Sequence, residues 1–268
     1  MRHLKITSIV ILSSFITACS AGEKATDKAE YASLPIIEVR ATDENSMPIA
    51  MEQATFIPNN VASWLGHIIL RGKDGSIWRT TTEGRTPRKV SDGPYSDIIG
   101  LNRQNASGVF LATKQNGKLA AFIEADDDGN FKPMIMSGKL GASFCTVTDS
   151  IIWTQDGDAT KTAYSYETSD NALNLSQSDI ETVAPELCDS DKAVIAGRQI
   201  ILSSNQEKAL KITNGLSVNG TDAPDFVALT DAAMGSVFNN GLLVVGDTKD
   251  DRIILISLEY ILREIAVK

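Results

Sequence analysis

The stretch HIILRGKDGSIW, residues 67–78, returns as VFLATKQNGKLA, residues 109–120. The two superpose without a gap: an apolar run, then Asp74-Gly75 or Asn116-Gly117, then a second run starting near Ile77 or Leu119. Asp-Gly and Asn-Gly supply the positive φ angles that tight hairpin turns demand, so each copy reads as two antiparallel strands. A third copy is SIIWTQDGDATKTAYSY from Ser150, a fourth QIILSSNQEKALKI from Gln199, and a fifth LLVVGDTKDDRIILISL from Leu242. With Ile69, Leu111, Trp153, Ile201 and Val244 taken as equivalent, the spacings are 42, 42, 48 and 43 residues. Four-stranded propeller blades repeat every roughly 40 to 50 residues. The expected fold is therefore all-β, a β-propeller of five four-stranded blades, with a sixth left open.

Shorter runs fill the gaps between hairpins. Asp97 to Leu101, Ser143 to Thr148 and Phe226 to Thr230 fit innermost strands, and Phe131 to Met136 and Leu210 to Val218 fit outer ones. A single blade cannot bury both its faces, so the ring must close. Ile36 to Val39 and Ala54 to Ile57 are read as closing it by joining the C-terminal blade. Leu258 to Val267 is ambiguous between helix and strand. The competing fold is a β-sandwich, against which the regular 42-residue period argues.

The formal net charge is -9, and falls to about -11 if Arg2 and Lys5 are removed with an N-terminal signal. An acidic body repels phosphate backbones, which excludes nucleic acid as a partner class. Only two histidines occur, His3 and His67, so multi-histidine metal sites are excluded. A Ser-His-Asp arrangement would have to use His67, no nucleophile elbow is present, and His67 opens an apolar strand, which marks it as structural. Zinc wants more ligands than Cys145 and Cys188 offer. The acidic run from Glu124 to Asn130 has the look of a calcium loop but lacks a distal bidentate Glu. It falls where a blade turns from its third strand to its fourth, and it is read as a plain acidic turn. Asp156-Gly157-Asp158 and Asp247 to Asp251 are read the same way. Trp64, Trp78 and Trp153 are too few for an aromatic sugar platform, and the last two lie on repeat strands as inter-blade core.

Residues 1–18 have the order of a secretory signal: positive Arg2 and Lys5, an apolar run from Ile6 to Phe15, then small residues. The run is too short to span a bilayer, which takes roughly 20 apolar residues. Ile16-Thr17-Ala18-Cys19 resembles the lipobox of bacterial lipoproteins, which implies that Cys19 becomes the acylated N-terminus. Ser20 rather than Asp at the next position implies, by the same resemblance, the outer membrane. Residues 19–34 are read as a polar lipidated tether and residues 35–268 as the propeller domain. The expected location is the cell envelope, lipid-anchored and facing the periplasm, a compartment that permits a disulfide between Cys145 and Cys188.

The stretch TDAPDFVALTDAAMGSVFNNGLLVVGDTKDDRIILISLEYI, residues 221–261, resembles the closing blade of the bacterial β-propeller phytases. Asp225, Thr230, Gly241 to Val245, Asp247 and Ile261 keep that outline. Looser resemblances run through Ile69 to Trp78, Phe110 to Phe122, Phe144-Cys145 and Glu186-Leu187-Cys188, and together they cover most of residues 50 to 262. The family has six blades and uses calcium, held by acidic residues at one end of the ring, to bind phosphate and activate water. Hard cations take oxygen ligands, and clustered metals stabilise phosphoryl transfer. Carried over residue by residue, the pattern is eroded. Its Asp-Asp-Pro-Ala-Ile-Trp motif falls near Gln53 to Ile57 and loses both acids. Its Asn-Asn-Val-Asp motif falls on Ser96 to Ile99 and loses its Asp to Ile99. Its phosphate-binding Arg falls at Lys114, which keeps charge without the bidentate fork. One of its paired lysines survives at Lys73.

The sequence thus carries three functional expectations. The first is an envelope lipoprotein with a phytase-like propeller that has become a catalytically degenerate binding or interaction module, for an unidentified protein or small phosphorylated ligand. The second is a calcium-dependent phosphohydrolase using Lys73, Lys114, Glu186 and Asp225 as phosphate or metal contacts. The third is an envelope assembly scaffold.

Overall fold

A computed structural model describes residues 29–30 and 36–266, apart from 44, 59–65, 105–106, 127–128, 139, 141–142, 149, 157–159, 170, 179–182, 204–208 and 214–217. Cys19, the signal, most of the tether and Trp64 lie outside the described residues. Among the described residues the chain is nearly all β. After β1 (Ala29–Glu30) and β2 (Ile36–Arg40), three four-stranded meanders follow in turn. The first is β3 (Met51–Ile57), β4 (His67–Gly72), β5 (Ile77–Thr81) and β6 (Arg88–Ser91). The second is β7 (Tyr95–Gln104), β8 (Ser107–Lys114), β9 (Leu119–Glu124) and β10 (Phe131–Ser137). The third is β11 (Ser143–Thr148), β12 (Ile151–Asp156), β13 (Thr160–Ser169) and β14 (Ala172–Gln177). A fourth unit has β15 (Ala193–Ala196), β16 (Gln199–Leu202) and β17 (Ala209–Lys211), with β1 paired parallel at its outer edge. The fifth has β18 (Phe226–Thr230), β19 (Leu242–Asp247) and β20 (Arg252–Ser257), completed by β2. Helix α1 (Leu258–Ala266) follows directly.

The five repeat positions all fall on second strands: Ile69 on β4, Leu111 on β8, Trp153 on β12, Ile201 on β16 and Val244 on β19. The first two hairpins turn alike. Gly75 and Gly117 take φ of 78° and 76°, and Asp74 Oδ1 and Asn116 Oδ1 each accept the backbone N–H two residues on, from Ser76 at 2.9 Å and Lys118 at 3.1 Å. Such Asx turns are why Asp and Asn recur ahead of glycine at these bends.

Innermost strands touch in series. β3 contacts β7, β7 contacts β11, β11 reaches the 3-10 turn Asp189–Asp191 that precedes β15, β15 contacts β18, and β18 returns to β3. The apolar clusters follow the same circuit. β4 alternates: Ile68 and Leu70 face unit five, joining Phe226, Leu242, Val244, Ile253 and Leu255. Ile69 faces unit two with Ile98, Phe110 and Phe122. Leu111 and Val109 then meet Ile152, Tyr166 and Leu173 of unit three, and Ile200 and Leu202 of unit four meet Leu243, Val245, Ile254 and Ile256 of unit five. A period of two with both faces apolar is what a strand sandwiched between neighbours requires. The arrangement is propeller-like. Units two and three are also joined at their outer edges by the parallel pair β10–β14.

Three expectations change. Ala54 to Ile57 does not join the C-terminal unit; it belongs to β3, the innermost strand of unit one, which pairs with β4. Only Ile36 to Val39 closes onto the last unit, antiparallel to β20. Two apolar runs looked interchangeable by composition, but β3 lies one short connection from β4, and sequential strands pair most readily. The stretch from Leu210 to Val218 is strand only to Lys211, with 214–217 outside the described residues. Leu258 to Val267 is a helix to Ala266, its Leu258 and Ile261 buried against unit five.

Candidate axial binding site

Each innermost strand starts at the same end of the ring. Met51 sits opposite Gly72, Tyr95 opposite Lys114, Ser143 opposite Gln155 and Phe226 opposite Gly246. That end also carries the turns between second and third strands. The inner strands enclose an axial cavity of ≈ 190 Å³ towards this end, lined among others by Gln53, Asp97, Phe144, Cys145, Asp189 and Ala228. A smaller cavity of ≈ 80 Å³ lies towards the far end and includes Gly100, Thr146, Lys192 and Asp231. The two share Thr55, Phe56, Asp189 and Leu229.

The polar side chains of the larger cavity are held by one another. Asp97 Oδ1 accepts from Gln53 Nε2 at 2.7 Å and from the Ile98 backbone N–H at 2.9 Å, and its Oδ2 accepts from the Phe144 N–H at 3.0 Å. Gln53 Oε1 in turn accepts from Arg71 Nε at 2.9 Å, and the Arg71 guanidinium pairs with Glu52. Burial pushes the Asp97 carboxyl above its ordinary range, outweighing the hydrogen bonds from Gln53, Phe144 and Ile98 and the Arg71 charge. Asp189 Oδ1 accepts from Thr146 Oγ1 at 2.8 Å and pairs with Lys192 at 3.0 Å. Cys145 and Cys188 are joined in a disulfide, Cα–Cα 4.4 Å, at the cavity wall. Cys145 lies on the inner strand β11, and Cys188 lies off the strands, directly before the 3-10 turn Asp189–Asp191.

Lys73, Lys114, Glu186 and Asp225 all stand at the end where the inner strands begin. All four are exposed, on or beside turns, and none lines the axial cavity. Asp225 Oδ2 accepts from the Thr248 backbone N–H at 2.6 Å and from its hydroxyl. The backbone carbonyl of Glu186 accepts from Lys161 Nζ at 3.1 Å. The residues share an end of the molecule rather than a site. Calcium, implied by the phytase resemblance, finds a poor donor set. Gln53 and Ile99 stand where that resemblance would put carboxylates, Asp97 has both oxygens committed to N–H donors, and no group of three or more His, Cys, Asp or Glu among the described residues is placed to hold a metal. In the acidic turn, Asp126 accepts from Asn130 through both oxygens, at 3.0 and 2.9 Å.

His67 is buried at 5 % exposure, its Nε2 2.7 Å from Glu124 Oε1 and its ring edge-on to Phe131. Trp78 and Trp153 pack in the seams beside unit one and unit three, donating to Ser76 Oγ at 2.7 Å and Thr148 Oγ1 at 3.1 Å. Sequence reasoning missed Gln53, Asp189 and Lys192 as cavity residues. One signal was present: the single long interval, 48 residues between Trp153 and Ile201, holds the segment that brings Asp189 to the axis.

No protein-family model and no curated protein matches this chain. Among solved structures, one chain of a complex titled BBS1N with ARL6DN, soaked with lead, is 12% identical, with 84% of this chain and 76% of that chain covered and a TM-score of 0.36. A chain of the S. cerevisiae dbp5 assembly bound to nup159 and gle1 is 11% identical, with 78% and 65% covered and a TM-score of 0.31. TolB from Acinetobacter baumannii is 8% identical, with 78% and 43% covered and a TM-score of 0.30. The chain spans less than two thirds of the latter two. Likenesses this distant carry nothing about activity.

Proposed function

We propose that this chain is a lipid-anchored envelope protein whose five units are the blades of a β-propeller, and that the propeller is a binding or interaction module with the axial cavity as its ligand site. The observation that carries this is the state of the axial polar groups. Every carboxylate facing the larger cavity already has a protein donor: Asp97 three N–H groups, Glu52 the Arg71 guanidinium, Asp189 Thr146 and Lys192. Groups tied up in this way shape and orient a ligand; they are poorly placed to hold metal ions or to trade protons. The closed circuit of inner strands and the five apolar clusters support the five-blade count. The disulfide supports export, since such bonds persist in oxidising compartments.

Two experiments test the proposal. The purified chain is assayed with calcium and a panel of phosphate esters, phytate included. The expected result is no phosphate release and no calcium-dependent thermal shift. Release that is abolished by Lys114→Ala identifies the phosphohydrolase instead. For the anchor, Cys19→Ser should lose labelled palmitate and leave the membrane fraction; retention of both overturns the lipoprotein reading.

A further inference from the structure

The seams of the ring are unequal, and the poorest one lies beside the axial cavity. Four seams are filled by broad clusters of aliphatic and aromatic side chains. Between units three and four the buried cluster is Cys145, Trp153, Ala163 and Cys188. Among the described residues, the segment leading into unit four contributes to it Cys188 alone. Its β16 turns Ile200 and Leu202 into the well-filled seam with unit five, while Gln199 and Ile201 on the other face are half-buried. Among the described residues, what crosses from unit three besides the packing of Trp153 and Ala163 on Cys188 is covalent or polar: the Cys145–Cys188 bond, the Thr146–Asp189 hydrogen bond, and Lys161 Nζ donating to the carbonyls of Pro185 and Glu186. Both sides of this seam reach the axis, where Cys145 and Asp189 line the larger cavity.

We propose that the Cys145–Cys188 disulfide is the latch of this seam, and that its reduction by a dithiol opens the axial cavity sideways between units three and four. A thiolate of the dithiol attacks one sulfur. The S–S bond breaks, a mixed disulfide forms, and the displaced cysteine thiolate takes a proton. The second thiol of the dithiol then displaces the first cysteine, leaving a cyclic oxidised dithiol and two protein thiols, so two electrons pass to the protein. Cys145 and Cys188 are 3 % and 5 % exposed, and the cavity that Cys145 lines is the approach. Once the bond is broken, the hydrogen bonds that remain across the seam have, among the described residues, little buried apolar surface beside them to hold it shut. Units two and three stay together through β10–β14, and units four, five and one through their shared cores, so the opening is confined to one place. The consequence for ligand access rests on the axial-site reading; the latch itself does not.

The test is hydrogen exchange on the full chain, oxidised, reduced with dithiothreitol, and as the Cys145→Ala/Cys188→Ala double variant. Protection in residues 143–148 and 183–196 should fall about tenfold or more while β4, β8 and β19 change by less than about threefold. Unchanged protection in the first two segments overturns the latch. So does an equal loss everywhere, since the bond then stabilises the ring as a whole. Reducing the folded protein gives the answer even where the double variant does not fold. No ligand enters the measurement, so local opening with an axial cavity that binds nothing leaves the latch standing and removes the binding reading.

Discussion

The seam between units five and one and the seam between units three and four solve the same problem with different materials. In the first, Phe56, Ile68, Leu70 and Trp78 meet Phe226, Leu242, Val244, Ile253 and Leu255, with Met234 and Phe238 covering them. Full burial of each such side chain contributes about 1.5–3 kcal/mol. In the second, among the described residues, one disulfide packed by Trp153 and Ala163 and a few polar contacts stand in for that surface. A disulfide typically contributes about 2–4 kcal/mol, comparable to one or two of those side chains. The difference is written in the strands. β19 and β20 are buried along their whole length, on both faces, whereas β16 is fully buried on one face only, with Gln199 and Ile201 half-buried on the other. A repeat therefore conveys where strands go but not how firmly each neighbour is held.

The largest expected effect is at the closure of the ring. Arg252, 3 % exposed, donates to Asp247 at 2.9 and 3.1 Å, to Glu38 at 3.0 Å and to the carbonyls of Asn219 and Gly220, both at 2.8 Å. Burial pulls its pKa down, and the hydrogen bonds to Glu38 and Asp247 more than restore it, so it is raised overall. Arg252→Ala strands the buried Asp247 and should cost about 3–5 kcal/mol in denaturant unfolding. A cost below about 1 kcal/mol would place the strength of the closure in its apolar strands alone. Next come two positions that the repeat treats as equivalent. Ile69→Ala, in a filled seam, should cost about 2–5 kcal/mol, and Ile201→Ala, facing the poor one, about 1 kcal/mol or less. Equal costs would erase the contrast between seams.

A smaller loss is expected where inner strands meet closely. A Cβ on Gly100 would lie 1.9 Å from the Phe56 carbonyl oxygen, and Gly100 N–H donates to Thr55 Oγ1 at 2.8 Å. Gly100→Ala must push β7 from β3 and should cost about 1–3 kcal/mol, read as a lowered melting temperature; an unchanged melt would show the ring to be slack at its axis. The smallest effect concerns pH. A carboxyl whose pKa is raised on folding holds its proton more tightly in the native state. Asp97 therefore contributes stability that is present at acid pH and is lost as pH rises from the ordinary carboxylate pKa through the raised one. Asp97→Asn should remove that slope from the stability–pH curve. At neutral pH it should cost about 1 kcal/mol, because one amide N–H must then face a backbone N–H donor. An unaltered slope would assign the pH dependence to another group.

Much of the architecture was legible because it rests on local chemistry. Asp74-Gly75 and Asn116-Gly117 mark their turns, and the run from Leu242 to Leu258 displays its two buried strands directly. The identity of the closing strand was half legible. Ile36 to Val39 and Ala54 to Ile57 are alike in composition, and only pairing distinguishes them. The site was the least legible part. Gln53, Asp97 and Asp189 come from three units, and nothing in the residues around each announces that they share an axis. The phytase-like pattern drew attention to exposed turn residues instead, among them Lys73 and Lys114.

The pairing of β2 with β20 sets the order in which the molecule can be made. The contact between Glu38 and Arg252 joins residues 214 apart, and closing a chain segment of that length costs roughly 5 kcal/mol in loop entropy before any contact repays it. Ile36 to Arg40 precedes the four complete units in the chain while its partner β20 follows them, so it has no strand to pair with until β20 is in place. Folding should accordingly be slow and all-or-none, dominated by non-local contacts. A circular permutant that carries residues 36–40 after Ala266 places the two strands close together in sequence, and it should refold measurably faster than the natural order.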